Sequence, residues 1–342
     1  MSATIPPPLA SPGVGARRKG PLPRLPLSAF TPPNSGTSDR FPLPPSPSSI
    51  HPTQVIDAHA AAPGGDLSKW VQESRANTAL SEKLSGTVVS LAGLTPAEVE
   101  KALEAIRSSS SPTPIIAVLV PYSLEDGAPS DPPAYLTSDP SSSYKIILLA
   151  VYTRYSPEAV KALAWAIEKG HTIDLEIRTN LRAGEGAWQD LEEMLTYALP
   201  KHDPRGWKGN IILSNILPPP DDLSIPIVKL LTHPTYNDYQ SQTAALSLYP
   251  NVTVKFLPPS WSSESIDTKE WKRRIKMYIG PALEAFGYER ILFGSSTAAS
   301  APSALSVGEW YELARESFAE LGTEQEDIQA VFCDNAKRVY GS

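Results

Sequence analysis

From Val55 onward, short β-branched runs alternate with segments of helical period, and that alternation limits the folds open to the chain more than any other feature. Strands are predicted at 55–59, 87–91, 115–120, 144–151, 172–178, 210–216, 252–257 and 290–294. They read as near-continuous apolar runs, as strands buried on both faces of a parallel sheet do. Between them, Thr95-Pro96-Ala97-Glu98 combines an N-cap, a proline at the first helical position and a capping-box glutamate. Val99, Ala102, Leu103 and Ile106 then follow at i, i+3, i+4 and i+7. Ser156-Pro157 opens a second helix with the stripe Val160, Leu163, Ala164 and Ile167, and Gly170 stops it. Further helices are predicted over 185–199, 225–249, 268–286, 307–321 and 324–339, the last with a capping box at Thr323-Glu324-Gln325-Glu326.

Eight strand–helix units imply an α/β chain closed as a (β/α)8 TIM barrel. The rival, an open doubly wound sheet, wants a glycine-rich turn after the first strand. Ala60-Ala61-Ala62-Pro63-Gly64-Gly65 has neither the spacing nor the position of one. The 342 residues accommodate one barrel plus an extension. That extension is residues 1–52, crowded with Pro, Ser and Gly and basic through Arg17, Arg18, Lys19, Arg24 and Arg40. So many prolines oppose a helix and leave little apolar surface to offset ordering, so a disordered tail is predicted there, with the barrel over 53–342. The tail is poor in acids, as transit peptides are, but Pro6, Pro7 and Pro8 spoil the amphipathic helix that import needs.

The formal net charge of −7 argues against nucleic acid and anionic membrane surfaces as partners, and no apolar run approaches a membrane helix. Cys333 is the sole cysteine, which excludes an intramolecular disulfide or a cysteine-rich zinc site. A lone thiol suits a reducing, cytoplasmic setting, with mitochondrial import the alternative.

In a barrel, chemistry belongs at the C-terminal strand ends. There stand Asp57-Ala58-His59, then Asp174, Glu176 and Arg178, Ser214-Asn215, Lys255-Phe256-Leu257 and Gly294-Ser295-Ser296-Thr297. Four stretches resemble the amidohydrolase superfamily, in the branch of sugar-acid lactonases and related metal-dependent hydrolases and decarboxylases. Val55-Ile56-Asp57-Ala58-His59-Ala60 is similar to its first strand and Pro250-Asn251-Val252-Thr253-Val254-Lys255 to its seventh. The stretch from Phe286 to Ser295 is similar to its eighth strand and Val331 to Tyr340 to its closing helix.

The resemblance implies a His-x-His pair on the first strand, a fifth-strand ligand, an Asp-His on the sixth and an aspartate on the eighth. At those places this chain has His59 with Ala61, Glu176, Ser214-Asn215 and Ser296. His59 is thus left as a residual metal ligand or a structural histidine. A hydrolytic site needs about three protein ligands to hold the ion and acidify its water.

Three readings stay open. The first is a diverged barrel with a small-molecule pocket at its C-terminal mouth and metal-dependent hydrolysis lost, needing no cofactor. The second is a working hydrolase or lyase on a small lactone or carboxylic acid. It would use His59, Glu176 and Lys255, with zinc or manganese if a metal is kept. The third is a scaffold whose proline-rich tail recruits a partner. Arg178, Asn215 and Ser296 are the candidate ligand-binding residues. Arg178 is placed either to clamp a carboxylate or to pair with Glu176 on the same side of its strand. Lys255 is placed to bind an anion or to pair with Glu176 across the barrel. Asp57 reads as satisfying backbone or loop donors, and the tryptophans as shell packing.

Overall fold

The structure is a computed structural model that describes residues 46, 49–108, 112–136, 144–178, 186–199, 209–261, 267–298 and 304–341. Eight parallel strands run in sequential order: β1 (Val55–Ala61), β2 (Leu84–Ser90), β3 (Ile115–Tyr122), β4 (Lys145–Tyr152), β5 (Ile173–Ile177), β6 (Ile211–Leu217), β7 (Val252–Phe256) and β8 (Ile291–Phe293). Each pairs with the next in a parallel ladder. The eighth strand meets the first just beyond its own end, where Ser296 N–H donates to the His59 carbonyl at 3.0 Å. The barrel is therefore nearly closed, and every predicted strand is present to within a few residues.

The helices are α1 (Ser68–Ala76), α2 (Thr78–Ser81), α3 (Pro96–Ser108), α4 (Pro157–Glu168), α5 (Ala187–Ala198), α6 (Ile227–Leu230), α7 (Pro234–Ser247), α8 (Thr268–Phe286), α9 (Val307–Ala319), α10 (Gln325–Gln329) and α11 (Asn335–Tyr340). The predicted caps of the two early helices form. Thr95 N–H and hydroxyl both donate to Glu98, and Ser156 Oγ accepts from Ala159 N–H. Gly170 stops α4 at φ +77°, a conformation only glycine takes without cost. The predicted capping box at Thr323 does not form. Its hydroxyl turns back to the Phe318 carbonyl at 2.7 Å, satisfying the end of α9 instead of the start of α10. The box forms at Ser306–Glu309, where α9 begins. Helices α1 and α2 carry weak apolar periodicity and went unread; the irregular stretch 225–249 resolves into α6 and α7 around Pro234.

The final helical run widens into a π-turn at Ala330–Asp334, which buries Val331, Phe332 and Cys333. This run closes one end of the barrel. Ala336, Val339 and Tyr340 pack with the lumen-lining Ala117, Leu149 and Leu292. Its polar anchors fix which end: Asn335 Nδ2 donates to the Ile291 carbonyl at 2.9 Å, and Lys145 Nζ to the Gly341 carbonyl. Ile291 and Lys145 each begin a strand, so the C-terminal helix seals the N-terminal face and leaves the opposite face for chemistry.

Of the segment read as tail, residues up to 45 lie outside the described residues. Ile50 is buried in the core, its carbonyl accepting from Arg315 at 3.2 Å. Trp188, Trp271 and Trp310 are buried in the helical shell, and Trp310 Nε1 donates to the Gly294 carbonyl at 2.9 Å. Phe332 stacks on Phe293 at 4.7 Å between ring centres and meets Tyr311 and Phe318 edge-on. Phe332→Ala is expected to cost about 3–5 kcal/mol of unfolding free energy, measured by urea denaturation, because rings from β8 and α9 converge on it.

Candidate functional site

The candidate residues converge in the lumen, but not in the grouping expected from sequence. Lys255 lies on β7, whose sheet neighbours are β6 and β8, so its contacts with β1 and β5 cross the lumen. Its Nζ is 3.1 Å from His59 Nδ1 and forms a salt bridge with Asp174. Lys255 and Asp174 side chains are both fully buried. Ser214 hydroxyl donates to the other Asp174 oxygen at 2.5 Å. Below the ammonium lies the Tyr340 ring of α11, with its centre 5.7 Å away.

The pairing of Lys255 with Glu176 is thus corrected: the lysine's partner is Asp174. Glu176 instead faces Arg178, which donates from Nε to Oε1 at 2.8 Å and from a terminal nitrogen to Oε2 at 3.1 Å. Asp174 and Glu176 are two apart and share a face of β5. The arginine beyond the strand end reaches the outer carboxylate and leaves the inner one to the lysine. Arg178 keeps 37% of its side chain exposed, while Glu176 is buried.

Asn215 and Ser296 serve the frame around this cluster. Asn215 holds φ +67° at the end of β6, where the register with β7 breaks between Leu213 and Leu217. Its amide donates to the Ile177 carbonyl at 2.8 Å, which satisfies the end of β5. Ser296 Oγ accepts from Ala61 N–H at 3.0 Å, so this side chain stitches the barrel seam.

Asp57 does what was expected of it. Its carboxylate accepts from His59 N–H at 3.0 Å, Ser295 N–H at 2.8 Å and Trp70 Nε1 at 2.7 Å, and from the Ser295 hydroxyl. One side chain thereby joins β1, the segment after β8 and α1. Among the other histidines, His171 stacks on Trp165, and His233 Nδ1 meets Thr235 Oγ1 at 2.8 Å without capping α7; His202 lies outside the described residues.

The lumen's electrostatics follow from its dryness. Burial, reinforced by the Lys255 ammonium, holds the His59 imidazole well below its ordinary range. Burial also lowers Lys255, against the opposing pull of Asp174 and Asp57. Burial raises Asp57 in spite of its donors, and raises Tyr340 far above the usual phenol, with Asp174 and Asp57 adding to it. Among the described residues, His59 Nε2 and Tyr340 hydroxyl have no hydrogen-bond partner.

Sequence reading missed Asp174, Ser214 and Tyr340 as members of this group. Asp174 carried a usable signal, since it shares the strand face of Glu176. Tyr340 carried none, because its place depends on the C-terminal helix entering the lumen.

The geometry defines a (β/α)8 barrel with its charged side chains gathered at and below the C-terminal strand ends. Residues 224–342 match the family model described as amidohydrolase. A zinc-bound amidohydrolase from Burkholderia multivorans superposes with a TM-score of 0.55 at 14% identity, over 84% of this chain and 98% of that one. Amidohydrolase 2 from Bifidobacterium longum subsp. infantis gives 0.51 at 15% identity, over the same shares of the two chains. A putative 2-pyrone-4,6-dicarboxylic acid hydrolase from Pseudomonas putida gives 0.52 at 16%, over 85% and 98%. No curated protein matches. The resemblance to the amidohydrolase superfamily read from the four motifs is therefore shown, by the family match over the C-terminal part and by the fold over the barrel. The family match covers less than half of the chain, and over the rest the likeness is one of fold.

A divalent metal does not fit the residues present. Ala61 offers no donor side chain, Ser296 is engaged at the seam, and a lysine ammonium stands against both His59 Nδ1 and Asp174. Among the described residues, no three of His, Cys, Asp and Glu gather to hold an ion.

Two outcomes are expected. Lys255→Met, which strands the Asp174 carboxylate, should cost about 3–5 kcal/mol, and the double variant with Asp174→Asn should cost less than the sum of the single ones. In the folded state His59 is held neutral below its unfolded value near 6.5, so its contribution is present above that pH and lost beneath it. Urea unfolding between pH 7.5 and 5.5 should show stability falling with pH, by up to about 1.4 kcal/mol per unit from this group, and His59→Gln should flatten the slope.

Proposed function

We propose that this chain has left metal-dependent hydrolysis and binds a small organic anion at the C-terminal mouth of its barrel. The observation that carries the reading is the division of the barrel's charges. The Lys255 ammonium is enclosed in the lumen with Asp174, whereas the Arg178 guanidinium keeps exposed surface at the end of β5. Glu176 holds that guanidinium by two parallel bonds, and such a fixed planar fork suits carboxylate recognition. The mouth is also the face on which barrels of this kind carry ligands. Asn215, a non-glycine residue in the left-handed region there, supports a functional edge.

The 2-pyrone-4,6-dicarboxylic acid named for one structural relative combines a lactone with two carboxylates, which makes carboxylated lactones and dicarboxylates the first compounds to try. A reducing compartment such as the cytoplasm suits the buried free Cys333. No helix among the described residues is long and apolar enough to cross a membrane.

A second reading, a working hydrolase or lyase, draws on the unpartnered His59 Nε2 and the His59–Lys255 contact, which could pass a proton. His59→Ala should then abolish turnover of an identified lactone or carboxylic acid while the fold persists.

The anion reading is tested by melting the protein with a panel of mono- and dicarboxylates. Ligand at one hundred times its Kd should stabilise by about 2.7 kcal/mol, and Arg178→Ala should erase the shift. A panel without any shift, or a shift that survives Arg178→Ala, overturns the assignment of Arg178.

A further inference from the structure

We infer that Lys255 is a resident cation. Its ammonium fills the position between His59 Nδ1 and the Asp174 carboxylate, so the native protein takes up no divalent metal there. Replacing the ammonium with a third neutral donor, as Lys255→His would, should create a cation site. The inference rests on the loss of metal-dependent hydrolysis proposed above, but not on the anion ligand. Carboxylate titration and metal uptake can therefore fail separately.

Three features of the cluster point the same way. First, an imidazole nitrogen and a carboxylate on strands that are not sheet neighbours both converge on one positive nitrogen, an arrangement that serves a transition metal as well as an ammonium. Second, the cluster is finished around a single positive charge. Ser214 donates to the second Asp174 oxygen, the Tyr340 ring supplies its negative face, and His59 is kept neutral by burial. Adding a dication beside the ammonium would place like charges a few ångströms apart in a dry lumen, and the next acid to act on Lys255, Asp57, is committed to its own donors in Ser295, His59 and Trp70. Third, the positions from which the family would draw further ligands are committed to the frame, Ser296 to Ala61 N–H and the Ala61 side chain to no donor at all.

This accounts for an otherwise costly feature. A lysine with no exposed surface is retained at the centre of the barrel because the acceptors around it would be left unpaired without a cation. The lysine is tethered, so its cation cannot dissociate, and the barrel's integrity is independent of metal supply.

The test compares zinc uptake by the full chain, by Lys255→His, which supplies a third donor, and by Lys255→His/His59→Ala, after equilibrium dialysis and elemental analysis. Metal-free native protein, near-stoichiometric zinc in Lys255→His and its loss in the double variant are the expected results. Zinc should also raise the melting temperature of Lys255→His, and not that of the native chain. Zinc held by the native chain and lost on His59→Ala would overturn the inference, as would a folded Lys255→His that takes up none. Should Lys255→His fail to fold, the native protein decides. With histidine and lysine side chains labelled with 15N, added Mn2+ should leave the His59 ring and Lys255 ammonium signals sharp, and paramagnetic broadening of either would overturn the inference.

Discussion

The buried Lys255–Asp174 pair is the interaction around which the lumen is organised. Moving two ions out of water costs several kcal/mol each, and their attraction offsets that cost only when the remaining donors and acceptors are satisfied. Here each surrounding group answers to that requirement. Ser214 takes the spare carboxylate oxygen, and His59 Nδ1 faces the ammonium. Tyr340 brings an aromatic face from below, carried by the helix that closes the N-terminal end. The cluster therefore couples four strands to the last turn of the chain. Burial first, and the neighbouring ammonium second, hold its histidine well below the usual imidazole range.

A second carboxylate, Asp57, solves a different problem. The seam between first and last strands lacks a long ladder, because β8 is short. Asp57 gathers donors from His59, Ser295 and Trp70, and Ser296 adds two hydrogen bonds across the same gap. Residues beside a first-strand histidine motif are easily taken for ligands. In this barrel their geometry is that of closure, with every oxygen of Asp57 turned to a frame donor.

The outer rim of the C-terminal face is held by its own clamps. Arg274, almost fully buried, donates to Asp221 and Glu270 and to backbone carbonyls of the loop after β6. Trp261, after β7, donates to the Pro219 carbonyl of that loop. The edge that carries Asn215 is thus fixed from two sides, while Arg178 and Glu176 stand on the neighbouring strand. Rigid loops around a partly exposed guanidinium are what a binding edge needs, since ordering costs are met during folding and not on association.

The sequence by itself determined the barrel. Eight apolar runs, helix stripes between them and turn residues such as Gly170 specify local structure through short-range chemistry, and parallel strands buried on both faces leave few ways to assemble. Ala61 and Ser296, at places where the resemblance implies ligands, are likewise legible as letters. The sequence could not supply the partners. Whether Lys255 would meet Asp174 or Glu176 depended on strand register across a lumen and on Arg178 reaching the nearer carboxylate. Whether Thr323 would cap α10 or finish α9 depended on which end presented an unsatisfied carbonyl. Tyr340 entered the cluster only because the closing helix turns into the barrel. Those are long-range choices, made by which buried polar groups could be satisfied together, and only the tertiary structure decided them.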